Sequence, residues 1–397
     1  MLITAPSLLT ADPGADSGAA GYVRIEDGFV TEAGYGRPAR IPDIQLPDGV
    51  LVPGFVDLQV NGYYGVEFQI ADRSSWTSVA ARLPETGTTA FLPTMITAPV
   101  PELVAGLRAA ASFLPDLGAV AGAAHVLGVH LEGPFISPHR RGAHNPAWIT
   151  DPTPAAISEL IAAGAGHLRL VTLAPERPGA LAAIGELVAA GVLVSVGHSD
   201  AVASQVAAAA QAGARKVTHL FNAQRPLGHR EPGVVGQALT DPRLTSGFIV
   251  DLHHVTAPAC SIAFAAAPGR IALVTDAAAC AGMPPGEYLL GGEPITMPAA
   301  AGEPPVRADG TIAGSALRMD RAVANAVSVG LPLPAAVAAA SRIPADLIGR
   351  PDLGRLTPGA AGDMVWLSPG LSARATWIAG RLAYSDGAAA TLAAVPA

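Results

Sequence analysis

GVHLEGPFISPHRRGAHNP, residues 128 to 146, decides how the chain is read. An apolar run, His125 to Leu131, ends on Glu132 and stops at once at Gly133-Pro134. A carboxylate placed where a buried strand gives way to a turn points into a site and not into a core. Alone it would pass for a surface or capping group. Three other polar residues share its position, because His198, His219 and Asp276 each close a similar apolar run further along.

Working outward, eight such runs alternate with longer Ala- and Leu-rich stretches. They are Phe55 to Val60, Thr88 to Pro93, His125 to Leu131, Leu168 to Leu173, Val192 to Gly197, Arg215 to Thr218, Thr245 to Val250 and Ile271 to Thr275. Eight strand–helix alternations over roughly 250–300 residues predict an α/β fold, a (β/α)8 TIM-like barrel. Such a barrel carries its chemistry at the carboxyl ends of the strands. Gln59 and Asn61 close run one, Glu132 run three, His198 run five, His219 run six and Asp276 run eight, while His253 and His254 follow run seven. Short β-like pieces bounded by Gly, Pro and Asp flank the barrel on both sides. They predict a small β-sandwich domain built from residues 1–52 and 353–397, with the barrel spanning 53–352.

Composition narrows the class. Half of the 397 residues are hydrophobic and 14% are charged, enough for a sizeable core. The net charge of −8, without a Lys/Arg cluster, argues against a nucleic-acid partner. An anionic substrate would need local cationic groups to grip it. Cys260 and Cys280 form no metal spacing and no disulfide framework, which suits a reducing compartment. No signal peptide and no membrane span of about 18 apolar residues is read, so the expected location is cytoplasmic.

Glu with two His is a catalytic zinc set that leaves one position for water, and it predicts a metal-dependent hydrolase. The bland alternatives are specific. Asp276 by itself reads as the N-cap of a following helix, His144 as an exposed loop residue, and Arg230 as a surface group paired with Glu231. Gln59 and Asn61 are weak metal ligands but able hydrogen-bond donors. His125, His130, His139 and His167 read as structural or surface residues.

The order of the motifs carries a resemblance. Pro53-Gly-Phe-Val-Asp-Leu-Gln-Val-Asn-Gly62, His130-Leu-Glu-Gly-Pro134, Gly197-His-Ser199, Thr218-His-Leu-Phe-Asn-Ala223, His229-Arg-Glu-Pro-Gly233, Val274-Thr-Asp276 and Ile312-Ala-Gly-Ser315 run nearly the length of the chain. The sequence resembles the N-acetylglucosamine-6-phosphate deacetylases of the amidohydrolase superfamily. The resemblance implies that Glu132, His198 and His219 hold a divalent metal ion, zinc, one per subunit. It implies Asp276 as general base and acid, and His144 as the group that polarises the acetyl carbonyl. Substrate contacts would come from Gln59, Asn61, Ala143, Asn222, Ala223, Arg230 and His254, with Ile312, Ala313 and Gly314 shaping the pocket.

Two departures matter. Gln59-Val-Asn61 stands where many amidohydrolases carry His-x-His, which favours one metal over two. Asp251-Leu-His-His254 stands where the family commonly has Asp-Gly-x-His, so the contact falls to His253 or His254. The expected partner is an amino sugar phosphate, and the expected assembly a homodimer in which a residue crosses to the neighbouring site. Two alternatives remain: the same chemistry on another N-acyl amino sugar phosphate such as the galactosamine epimer, or an inactive barrel used for binding.

Overall fold

The computed structural model describes residues 1–387 apart from 13, 15, 16, 70, 71, 118, 119 and 301, so 388–397 of the expected C-terminal segment lie outside the described residues. Eight parallel strands form the barrel: Phe55–Val60, Thr88–Ile96, Val129–Glu132, Leu168–Leu173, Leu193–Val196, Lys216–Val217, Thr245–Phe248 and Ile271–Leu273. Each pairs with the next in sequence order. All nine residues of Thr88–Ile96 are buried, as expected of a parallel strand covered on both faces. The ring closes just beyond the eighth strand. The Asp276 N–H donates to the Gln59 carbonyl at 2.9 Å, and the Asn61 N–H to the Ala277 carbonyl at 2.8 Å. This seam puts Asp276 beside Gln59 and Asn61.

Helices on the outside bury their apolar side against the strands. In Ala203–Ala212 the buried residues are Val206, Ala209 and Ala210, an i, i+3, i+4 stripe, and the helix stops at Gly213 with φ 117°. Among the described residues no helix is long and apolar enough to cross a membrane, and both cysteines are buried free thiols.

The third apolar run is not one strand. His125–Val126 pairs with Ala90 and Phe91, and the chain then breaks at Gly128, φ 131°, before Val129–Glu132 pairs with Thr94 to Ile96. A Cβ at Gly128 would meet the Arg169 side chain at 2.2 Å and the His167 carbonyl at 2.5 Å, so the break needs glycine.

The two termini meet in a sandwich. One four-stranded sheet orders Phe29–Tyr35, Gly21–Glu26, Leu2–Ala5 and Ile44–Gln45; the other orders Arg381–Ser385, Ala373–Ile378, Met364–Leu367 and Val50–Pro53. Ile3, Val23, Ile25, Leu51, Met364, Trp366 and Trp377 share one core between them. A further hairpin, Gly286–Leu290 with Glu293–Met297, follows the eighth strand and was not foreseen from the sequence. The Glu67 carboxylate accepts from the N–H groups of Gly291 and Gly292 at its turn. Leu290 and Ile295 of the hairpin pack with Ile96, Ala143 and Ala313, and so bring it against the mouth of the barrel.

Candidate active site

The third, fifth and sixth strands deliver Glu132, His198 and His219 to one point. The Glu132 Oε1 lies 3.0 Å from His219 Nε2 and 3.3 Å from His198 Nε2, and the two imidazole nitrogens are 3.0 Å apart. All three side chains are buried. The edge of a tetrahedron with bonds of ~2.0–2.1 Å is about 3.3 Å, so these spacings suit three ligands of one small ion. His198 Nδ1 lies 2.9 Å from the Arg140 carbonyl, and donation there leaves Nε2 with its lone pair facing the cluster. Burial alone would raise the Glu132 carboxyl. Hydrogen bonds with His198 and His219 more than reverse this and hold it well below the usual range.

Backbone geometry aims these groups. His198, His219 and Asp276 have φ of 46°, 28° and 52°, the left-handed region, at the point where each strand ends. That conformation costs a non-glycine residue about 1–3 kcal/mol, and such residues cluster where side chains must be presented to a ligand. Gly133, φ 88°, answers a different demand: a Cβ there would lie 2.1 Å from the Thr97 hydroxyl.

Asp276 is held by two amides. Gln59 Nε2 donates to Asp276 Oδ1 at 3.0 Å and also to Glu132 Oε1 at 3.0 Å, while Asn61 Nδ2 donates to Asp276 Oδ1 at 2.7 Å. Burial and then the nearby Glu132 charge push the Asp276 carboxyl above its ordinary value. The capping alternative does not apply, because the next element after Asp276 is the strand Gly286–Leu290 and not a helix.

His144 is buried, with its ring centroid 4.3 Å from that of His198. The Thr97 backbone N–H points at its Nδ1, 3.4 Å away, and the Thr97 hydroxyl lies 2.7 Å from the same atom. An acceptor Nδ1 places the ring proton on Nε2. Burial, followed by the neighbouring His198, holds the imidazole neutral well below its usual value. His144 is therefore a neutral donor and not an exposed loop residue.

These groups open on a cavity of about 380 Å³, within the size range of small-molecule sites. Asn61, Ala143, Asn222, Ala223, His254, Ile312 and Gly314 line it, as do Glu132, His198, His219, His144 and Asp276. Ala313 is buried behind the lining, and Gln59 lies beneath it, bonded to the two carboxylates. His254, not His253, faces the cavity; Asp251 Oδ2 lies 2.6 Å from its Nδ1 and orients the ring. His253 lines a separate cavity with Arg318 and Arg321.

Arg230 is exposed and does not line the cavity of its own chain. Nor does it pair with Glu231, whose carboxylate accepts from the N–H groups of Ala203 and Gly233. Sequence reasoning missed Ile96, His139, Arg140, Leu290 and Thr311, which also line the site. Arg140, whose Nε donates to Asp200 Oδ1 at 2.8 Å, stands in a dibasic pair inside the opening stretch, a signal that was readable. Leu290 comes from the unforeseen hairpin and gave none.

Comparison with known proteins agrees with this geometry. Residues 50–383 match the amidohydrolase family. The chain is 37% identical over 364 residues to an N-acetylgalactosamine-6-phosphate deacetylase of Escherichia coli O157:H7, covering 91% of this chain and 94% of that protein. It is also 37% identical over 336 residues to the N-acetylglucosamine-6-phosphate deacetylase of Vibrio furnissii, covering 84% and 83%. Among solved structures, a mutant N-acetyl-D-glucosamine-6-phosphate deacetylase from Mycobacterium smegmatis in complex with N-acetyl-D-glucosamine-6-phosphate superposes with a TM-score of 0.89, at 36% identity, over 97% of this chain and 99% of the other.

Proposed function

Since the chain belongs to the amidohydrolase family, we propose that it hydrolyses N-acetylglucosamine 6-phosphate to glucosamine 6-phosphate and acetate. The observation that carries the reading is the convergence of Glu132, His198 and His219 beside Asp276 at the floor of one cavity. The barrel, 53–352, is the catalytic unit in this reading, and the sandwich of both termini is a separate small domain.

Glu132, His198 and His219 would hold one divalent ion, zinc by the chemistry of the set. Such an ion supplies Lewis acidity and makes water acidic enough to act as a nucleophile near neutral pH. The acetyl group enters beside His144, whose Nε2–H donates to the carbonyl oxygen as negative charge develops there. Asp276 accepts a proton from the attacking water. The hydrogen bonds from Gln59 and Asn61 both go to Oδ1, leaving Oδ2 for that proton. When the C–N bond breaks, Asp276 returns the proton to the amine nitrogen, which would otherwise leave as an unstable anion. The raised affinity of Asp276 for a proton suits both halves of the transfer.

His254, Asn222 and Ala223, which line the cavity, would bind the sugar phosphate in this reading. Arg230 supplies a planar fork for phosphate oxygens, and its exposure leaves it free to reach across a subunit interface. A cytoplasmic homodimer completes the reading, with the two free thiols suited to a reducing compartment.

The galactosamine epimer is kept as the second reading, because a relative named for it shares the same 37% identity. The deciding experiment measures acetate release across N-acetylated hexosamines with and without the 6-phosphate. The fastest turnover is expected on the phosphorylated glucosamine derivative. Absence of acetate from every phosphorylated sugar would remove the reading.

A further inference from the structure

Lys216, on the sixth strand, is completely buried, and no described residue offers its Nζ a hydrogen-bond acceptor. It faces the barrel interior, in register with Ser195 on the fifth strand. That interior is polar. Ser195 Oγ lies 2.6 Å from Thr218 Oγ1, which is 2.7 Å from Thr172 Oγ1. Thr172 Oγ1 lies 2.8 Å from His130 Nε2, and His130 Nδ1 is 3.2 Å from Thr94 Oγ1. Glu132 stands two residues beyond His130 on the same face, so this network lies directly beneath the cluster described above.

The space for Lys216 is made by a matched residue. A Cβ on Gly247 would lie 2.9 Å from the Lys216 Nζ, and the backbone of Gly247 is not left-handed, so its bareness serves the ammonium and not a turn. An unpaired buried ammonium is strongly disfavoured unless nearby charge offsets it. Glu132, Asp276 and Asp57 all act on Lys216 in the stabilising sense. Burial lowers its pKa to about 8, so it stays largely charged at neutral pH.

Three buried carboxylates bring up to three negative charges, and one divalent ion offsets two. We propose that Lys216 is a positioning residue, the internal counter-charge that completes this balance beneath a single-ion site, and that Gly247 is the seat that admits it. The inference rests on the metal-dependent reading above.

The test uses the purified holoenzyme and the variants Lys216→Met, Gly247→Ala and the double variant. Zinc affinity is measured by competition with a chromophoric chelator, beside kcat, KM and the melting temperature. Methionine is unbranched and of similar length, so Lys216→Met should melt at or above the wild-type temperature. It should bind zinc at least tenfold tighter, because a like charge has been removed. Its kcat should fall at least tenfold with KM within about twofold. Gly247→Ala displaces the ammonium without deleting it, so the same changes should appear at smaller size and vanish in the Lys216→Met background. Unchanged zinc affinity and kcat in Lys216→Met would overturn the proposal. So would a joint loss of zinc affinity and melting temperature, which would make Lys216 a packing residue. Zinc binding and acetate release by the wild type report on the enzymatic reading, whereas the ratio of variant to wild type reports on Lys216.

Discussion

Asn61 Nδ2 donates a 2.7 Å hydrogen bond to Asp276 Oδ1, across the seam where the first and eighth strands close the barrel. This bond favours the ionised carboxylate, against burial and the Glu132 charge, which both raise its proton affinity. Asn61→Ala removes the favourable contribution, so the acidic limb of the kcat profile should move to higher pH. An unmoved limb would show that the pair has no part in setting the charge of Asp276.

Asp276→Asn keeps the shape of the side chain and removes its basicity. Turnover should fall by the ~10²–10⁴-fold typical of general acid–base catalysis. Zinc content should stay at the wild-type ratio, since Asp276 is outside the ligand set. Loss of zinc in this variant would make Asp276 a ligand instead.

The barrel was legible because parallel strands buried on both faces read as apolar runs, and the polar residue ending each run marks the active end. The positions of Glu132, His198, His219 and Asp276 at strand ends are thus legible in the sequence. Strand ends were less legible. His125 to Leu131 reads as one run, and only the crowding of Gly128 by Arg169 and His167 explains its break. The hairpin at 286–297 was missed because its short strands alternate weakly and one face lies over the site. Thr97 gave no signal either, since its role is a contact with His144 across 47 residues of sequence.

Burial lowers the pKa of His130 to about 3, between Thr94 and Thr172. The folded value lies below the unfolded value of ~6.5, so the unfolded chain takes up the proton first. The stability this neutral imidazole confers is present above pH ~6.5 and is lost as pH falls toward 3, by up to about 4–5 kcal/mol. His130→Met should be less stable at pH 7, having removed one hydrogen-bond partner from each of Thr94 and Thr172, yet lose less stability than wild type between pH 7 and 4. Parallel urea-unfolding curves across that range would contradict the assignment.

His254 faces the cavity and His253 faces away from it, so the two should separate cleanly. His254→Ala and Arg230→Ala should each lower kcat/KM on the phosphorylated sugar by roughly ten- to a hundredfold, the effect of losing a charge-assisted hydrogen bond of about 1.5–3 kcal/mol. The unphosphorylated sugar should be affected little, and His253→Ala should leave the ratio of the two substrates unchanged. Equal losses on both sugars would assign Arg230 to support of its loop, and a ratio that moves with His253 would reverse the choice.

The most direct measurement is recovery of acetate release from N-acetylglucosamine 6-phosphate as zinc is added back to chelator-treated enzyme. With Glu132, His198 and His219 as one ligand set, and Gln59 and Asn61 engaged with the carboxylates, activity should be lost on chelation and return fully at one zinc per chain. Activity that survives chelation, or that returns only at two zinc ions per chain, would contradict the single-ion site.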